Sequence, residues 1–158
     1  MDVVGSWITE FENDEANIYA RRILPTEPVD IANFAKSRNP LNHMTVMFRK
    51  ASVLVAGGYK TFYGFEDYYL WVRLLLNGSQ IANIPEYLVN VRAGEEQILR
   101  RGSLTYALTE LKFQREILRL GFTNLFEFVV NSTLRLGVRI VPKTLRRMIY
   151  AEIRRMSG

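Results

Sequence analysis

Cysteine is absent from this 158-residue chain. No disulfide staples it, no thiolate serves it as a nucleophile, and no cysteine metal site is available. That composition favours an intracellular setting. Histidine occurs once, at His43, and one imidazole cannot complete a metal site. No run of ~20 apolar residues is present, which argues against a membrane-spanning helix. The opening Met1-Asp2-Val3-Val4-Gly5 carries no basic stretch, so no signal peptide is expected. Internal repeats and low-complexity tracts are also missing.

Apolar residues make up 48% of the chain. That is enough for a sizeable core and argues against disorder. The net charge of +5 is uneven. Arg135, Arg139, Lys143, Arg146, Arg147, Arg154 and Arg155 face only Glu152 in the last stretch, while the body before it is close to neutral. A domain built to bind nucleic acid would be basic more evenly, so no nucleic-acid partner is expected.

Strand-like and short helical segments come first and helices last, the order of a layered α/β body with a helical appendage. Val3 to Phe11 reads as a strand and Ile18 to Leu24 as its return, with Glu12-Asn13-Asp14-Glu15 as the turn. Asp30 is placed to cap a helix over Ile31 to Lys36, and Asn39-Pro40 breaks it. Leu41 to Phe48 reads as a strand. Ala51 to Ala56 reads as a short helix stopped by Gly57-Gly58. A helix from Glu66 ends at Asn77-Gly78. Short strands flank Pro85, over Gln80 to Ile84 and Tyr87 to Arg92. Later helices cover Ser103 to Leu120, the stretch after Gly121, and the stretch after Pro142.

The stretch Gly64-Phe65-Glu66-Asp67-Tyr68 carries the most chemistry. Two carboxylates open a helix whose apolar stripe is Leu70, Trp71, Leu74 and Leu75. An acid fixed on the first turn of a rigid helix beside a glycine-rich loop is well placed as a general base. Acids in a first turn also arise because they complement the helix dipole. His43 begins a strand where a loop meets the sheet, a position that faces a ligand or simply sits satisfied in the structure. Tyr59, Phe62, Tyr63, Phe65, Tyr68 and Tyr69 crowd the acidic pair, as a sugar platform or as packing. Arg92, Arg100 and Arg101 bracket a loop and suit an anion or plain solvent. The basic tail over residues 135–155 reads as an amphipathic segment, lying on an anionic membrane surface or packed on the body.

Together these segments resemble the C-terminal half of bacterial family 2 glycosyltransferases with a GT-A fold. The similarity runs through Asp2 to Ile8, Asn39-Pro40-Leu41-Asn42-His43 to Lys50, Gly57-Gly58-Tyr59, Gly64 to Leu74, Asn83-Ile84-Pro85-Glu86 and Val89 to Arg92. It implies an α/β fold, the C-terminal part of a mixed nucleotide-diphospho-sugar transferase sheet, followed by a helical region. The implied division is 1–101 for the acceptor-side portion and 102–158 for the helical region with the basic tail. The resemblance implies Asp67 as the catalytic base of an inverting transfer from a nucleotide sugar. Glu66 would support Asp67 or orient the acceptor. His43, Asn42, Tyr59, Arg100 and Arg101 would contact substrate.

The family's nucleotide-binding half and its Asp-x-Asp motif have no counterpart here; Glu12-Asn13-Asp14-Glu15 has the wrong first acid. The resemblance therefore implies a fragment, inactive alone and prone to self-association through its uncovered sheet. Mg²⁺ or Mn²⁺ is expected for the full-length enzyme, and none for this fragment, with His43 a weak candidate ligand. The full-length partners would be a nucleotide sugar and a glycan or lipid-linked acceptor. The location would be cytoplasmic, peripheral on the inner face of the membrane. The alternative is a non-catalytic module that binds a membrane or a protein through its basic helix.

Overall fold

The structure, a computed structural model, describes residues 1–92 and 104–140. Its centre is β1 (Val3–Phe11). One edge of β1 carries β4 (Ile81–Arg92) in parallel along its full length. The other edge pairs antiparallel with β3 (Met47–Phe48) at Val3 and Val4 and with β2 (Ile18–Arg22) from Ile8 onward. The sheet is thus mixed. A strand with neighbours on both edges is covered, and Val3, Ile8 and Phe11 are buried accordingly.

Helices α1 (Pro28–Phe34), α2 (Lys50–Val55) and α3 (Glu66–Leu76) fall between the strands. Helices α4 (Leu104–Arg119) and α5 (Leu125–Ile140) follow. Leu70, Trp71 and Leu74 of α3 meet Val3 and Ile81 of the sheet and Ile31 of α1 in one core. Leu70 and Leu74 are fully buried, which stabilises the fold by about 1.5–3 kcal/mol each. The opposite side of α3 turns to α4. There Phe65, Tyr68, Tyr69 and Val72 close on Phe113 and Ile117 in a second, largely aromatic core. Phe113 stacks on Phe65 at 5.0 Å and touches Tyr68 at 4.7 Å. Helix α3 is therefore buried on two sides, which explains its almost unbroken apolar run.

Three expectations are corrected. The first concerns Leu41 to Phe48, which is not one strand. His43–Thr45 forms a 3-10 turn and only Met47–Phe48 pairs in the sheet. Local side chains replace the ladder. The Ser6 amide donates to Thr45 Oγ1 at 2.9 Å, and Asn42 Nδ2 donates to the Ser6 carbonyl at 2.8 Å. Secondly, the helix expected from Ile31 begins earlier, at Pro28, because proline suits a first helical position; Asp30 lies inside its first turn and does not cap it. Finally, the strands on either side of Pro85 are one strand. The register jumps from Ser6↔Ile84 to Trp7↔Tyr87, so Pro85 and Glu86 bulge out and the missing proline N–H breaks no rung.

Candidate functional site

The loop from Asn39 to Thr45 is stitched to the sheet from below. Asn83 Nδ2 donates to the carbonyls of Pro25 (2.7 Å) and Pro40 (3.1 Å). Gly5 permits this close approach, since a Cβ there would stand 2.5 Å from Asn83 Oδ1 and 3.0 Å from Leu41 Cδ2. The segment just before the loop is pinned from above. Tyr68 Oη of α3 donates to the Ala35 carbonyl at 2.6 Å, Asn131 Nδ2 of α5 to that of Lys36 at 2.9 Å, and Arg135 of α5 to that of Ser37. Asn39 is thereby held beside the start of α3.

Asp67 sits there, half-buried. Its Oδ1 accepts the Tyr68 amide at 2.7 Å and its Oδ2 accepts Asn39 Nδ2 at 2.8 Å. The Asn39 amide has a fixed orientation. Its Oδ1 accepts the Leu41 backbone N–H at 3.3 Å, and an N–H cannot accept, so the NH₂ end must face the carboxylate. Phe65, the residue preceding the helix, offers no side-chain cap, and Asp67 satisfies one of the free amides of the first turn. One side chain thus both complements the helix dipole and is held in place by Asn39. Among the described residues no cation pairs with Asp67. A carboxylate has ~four lone-pair sites, so two hydrogen bonds orient this one and leave it able to accept a proton.

Tyr59 and His43 stand near this acid. Burial, and then the Asp67 charge, push the Tyr59 hydroxyl above its ordinary range. It stays a neutral donor at physiological pH. The exposed His43 ring lies edge-on to Tyr59 at 5.9 Å and tilted over Trp71 at 6.0 Å. Trp71 itself is fully buried in the core, one helical turn after Asp67. Glu66 is half-buried on the same first turn, and no described residue bonds its carboxylate.

Arg73 fixes the loop that bears Tyr59. It is 7% exposed, and its guanidinium donates to the carbonyls of Ala56 and Gly58, the latter at 2.7 Å. It also lies 4.7 Å over the Tyr69 ring. Gly57 and Gly58 both adopt positive φ, 80° and 64°, which only glycine takes without strain. On the other flank, Gly64 (φ 76°) turns the chain into α3 beneath Tyr106.

Of the residues expected to act, Asp67, Glu66, His43 and Tyr59 cluster around the start of α3. Asn42 lies below, 1% exposed, with its Nδ2 spent on β1. Arg100, Arg101 and the tail beyond Ile140 lie outside the described residues, as does the 101/102 division. Among the described residues no three His, Asp or Glu side chains converge on a metal-sized site.

Sequence reasoning missed Asn39 and Arg73. Asn39 entered as a helix breaker and as the start of a matching run, with no role of its own. Arg73 carried a usable signal: a charge at a buried register of an apolar helix needs partners.

The chain is similar over nearly its whole length to bacterial glycosyltransferases. A UDP-Gal:alpha-D-GlcNAc-diphosphoundecaprenol beta-1,3-galactosyltransferase of Escherichia coli is 34% identical over 151 residues, covering 96% of this chain and 54% of that protein. An uncharacterized glycosyltransferase of Haemophilus influenzae is 36% identical over 148 residues, 94% of this chain and 55% of that protein. The amylovoran biosynthesis glycosyltransferase AmsE of Erwinia amylovora is 34% identical over 154 residues, 98% of this chain and 58% of that protein. The chain thus spans about half the length of the curated relatives it matches. No protein-family profile matches it, and no solved structure does.

Proposed function

We propose that this chain forms the acceptor side of an inverting glycosyltransferase of the GT-A type, one that moves a sugar from a nucleotide-sugar donor to an acceptor hydroxyl in cell-surface polysaccharide or glycolipid synthesis. One observation carries the reading. Asp67 is oriented by Asn39 and the Tyr68 amide, is free of any described cation, and stands on the first turn of a helix buried on two sides.

In the reaction, the acceptor oxygen attacks the anomeric carbon from the face opposite the leaving nucleoside diphosphate. The acceptor proton passes to Asp67, and the carbon inverts. Asn39 donates to the other side of that carboxylate and keeps it aimed. Tyr59, as a neutral phenol, offers a donor to a sugar hydroxyl. The rings of Tyr59 and His43 give the apolar face of a sugar a surface to rest on.

The relatives point to the same chemistry. The Escherichia coli relative is named for a UDP-sugar donor and a lipid-diphosphate acceptor. A β linkage made from a UDP-sugar is what an inverting attack gives with an α-linked donor.

The whole protein that carries this chain, supplied with UDP-sugars and a diphosphoundecaprenol-linked acceptor, is expected to form a disaccharide. Proton NMR of the product should show the anomeric configuration opposite to that of the donor. A product of retained configuration, or no transfer from any nucleotide sugar, overturns the reading.

A further inference from the structure

Helix α5 has two unlike faces. Asn124 and Glu127 form a reciprocal cap at its start, with the Glu127 amide donating to Asn124 Oδ1 at 2.8 Å and the Asn124 amide to Glu127 Oε2 at 2.9 Å. Glu127, Asn131 and Arg135 then recur every fourth residue along one side. Each reaches the body: Glu127 pairs with Lys36 Nζ at 3.0 Å, Asn131 with the Lys36 carbonyl, and Arg135 with Glu110 and the Ser37 carbonyl. The other side carries Leu125, Phe126, Val129, Val130 and Leu134, exposed by 67, 77, 51, 37 and 64% respectively. Both charged side chains described on α5 are committed to the body, so the outward face holds no described charge. Such a continuous apolar face on an exposed helix marks an interaction surface.

The sequence that leaves this face says what covers it. After Arg135, which the body holds, the chain places six basic residues (Arg139, Lys143, Arg146, Arg147, Arg154 and Arg155) against one acid, Glu152. An apolar stripe followed by dense positive charge matches an anionic lipid surface, where apolar side chains enter the acyl boundary and Lys and Arg meet headgroup charge. A second copy of the chain would bring two such basic segments together and repel. No helix among the described residues is long and apolar enough to cross a bilayer.

We propose that the outward face of α5 seats this protein on an anionic membrane surface. The sequence alone points to a basic tail; the structure adds the apolar surface that precedes it and the residues that form it. This assignment goes beyond the transferase reading and does not depend on it, because lipid binding is measured without any turnover.

The full 158-residue chain is mixed with vesicles of phosphatidylglycerol and phosphatidylethanolamine, and separately with phosphatidylcholine alone, and then floated. It should rise with the anionic vesicles and far less with the neutral ones. Phe126→Glu with Val129→Glu should reduce that binding roughly tenfold or more. Asn33→Glu on exposed α1 should leave it unchanged. If the glutamate pair lowers helix content by circular dichroism, Phe126→Gln with Leu134→Gln replaces it with the same expectation. In Phe126→Trp, the added indole should be quenched by brominated phosphatidylglycerol vesicles. Absence of wild-type flotation, or flotation indifferent to the α5 variants, overturns the proposal. So does a solution dimer that those variants abolish in a chain that does not float, since that gives the face to a second copy.

Discussion

As a carboxylate on the first turn of a helix, Asp67 was legible from the apolar stripe that follows it. Asn39 was not, because nothing local ties it to a residue 28 positions later in the chain. Only the stitching of the 39–45 loop to β1 and β4 brings the two together. The contact gives Asn39 a positioning role in the proposed reaction. In the whole enzyme, Asn39→Ala should lower kcat roughly tenfold to hundredfold while KM for the donor stays nearly unchanged, since a base aimed wrongly slows chemistry and not donor capture. Asn39→Asp should not rescue it, because a carboxylate cannot donate to a carboxylate. Steady-state kinetics decides; a rise in KM with kcat intact would make Asn39 a binding residue instead.

Glu116 gives a second test at this scale. Its carboxylate accepts both Arg119 Nε and Nη2 at 2.8 Å and Tyr69 Oη at 2.9 Å. The Arg119 hydrogen bond, and after burial is offset the Tyr69 hydroxyl, draw its pKa from the ordinary 4.5 down to about 2. A pKa depressed in the folded state contributes stability above 4.5, and that stability is lost as pH falls toward 2. Thermal melts of Glu116→Gln should therefore lie below wild type at neutral pH and converge with it in strong acid. A constant gap across that range would contradict the assignment.

At the scale of elements, helix α3 was the most readable, and its two ends show why. The carboxylates open it, Asn77-Gly78 close it, and Gly78 takes φ 78° as a helix-ending glycine does. The 41–48 segment was misread because Asn42 and Thr45 side chains bond β1 in place of the backbone ladder, and a period-2 pattern cannot show that. The turn at Gly64 is another feature that sequence alone could not justify. A Cβ there would meet Tyr106 Cε2 at 2.9 Å, and the residue also holds φ 76°. Gly64→Ala should cost about 1–3 kcal/mol, from the left-handed backbone and the clash together. In a double-mutant cycle with Tyr106→Ala, the clash part should be recovered and the backbone part retained. Chemical denaturation of the four proteins measures both; strict additivity would show that Tyr106 does not crowd the turn.

For the whole molecule, α3 is the shared wall between the sheet and α4. That explains how a mixed α/β body and a helical region form joined cores in the described residues. The α/β class and the order of elements could be read from periodicity. The parallel pairing of β1 with β4 could not, because it joins strands separated by every intervening helix and depends on a bulge at Pro85. The same arrangement brings Asn39 and His43 of one loop, Tyr59 of a second and Asp67 of the helix itself together around the start of α3.

The most direct test of the central claim is transfer by the whole enzyme carrying Asp67→Asn, with nucleotide-sugar binding measured on the same preparation by calorimetry. The account predicts donor affinity close to wild type and turnover reduced by about 10²-fold or more, because the amide cannot take the acceptor proton. Turnover near wild type in that variant would contradict it.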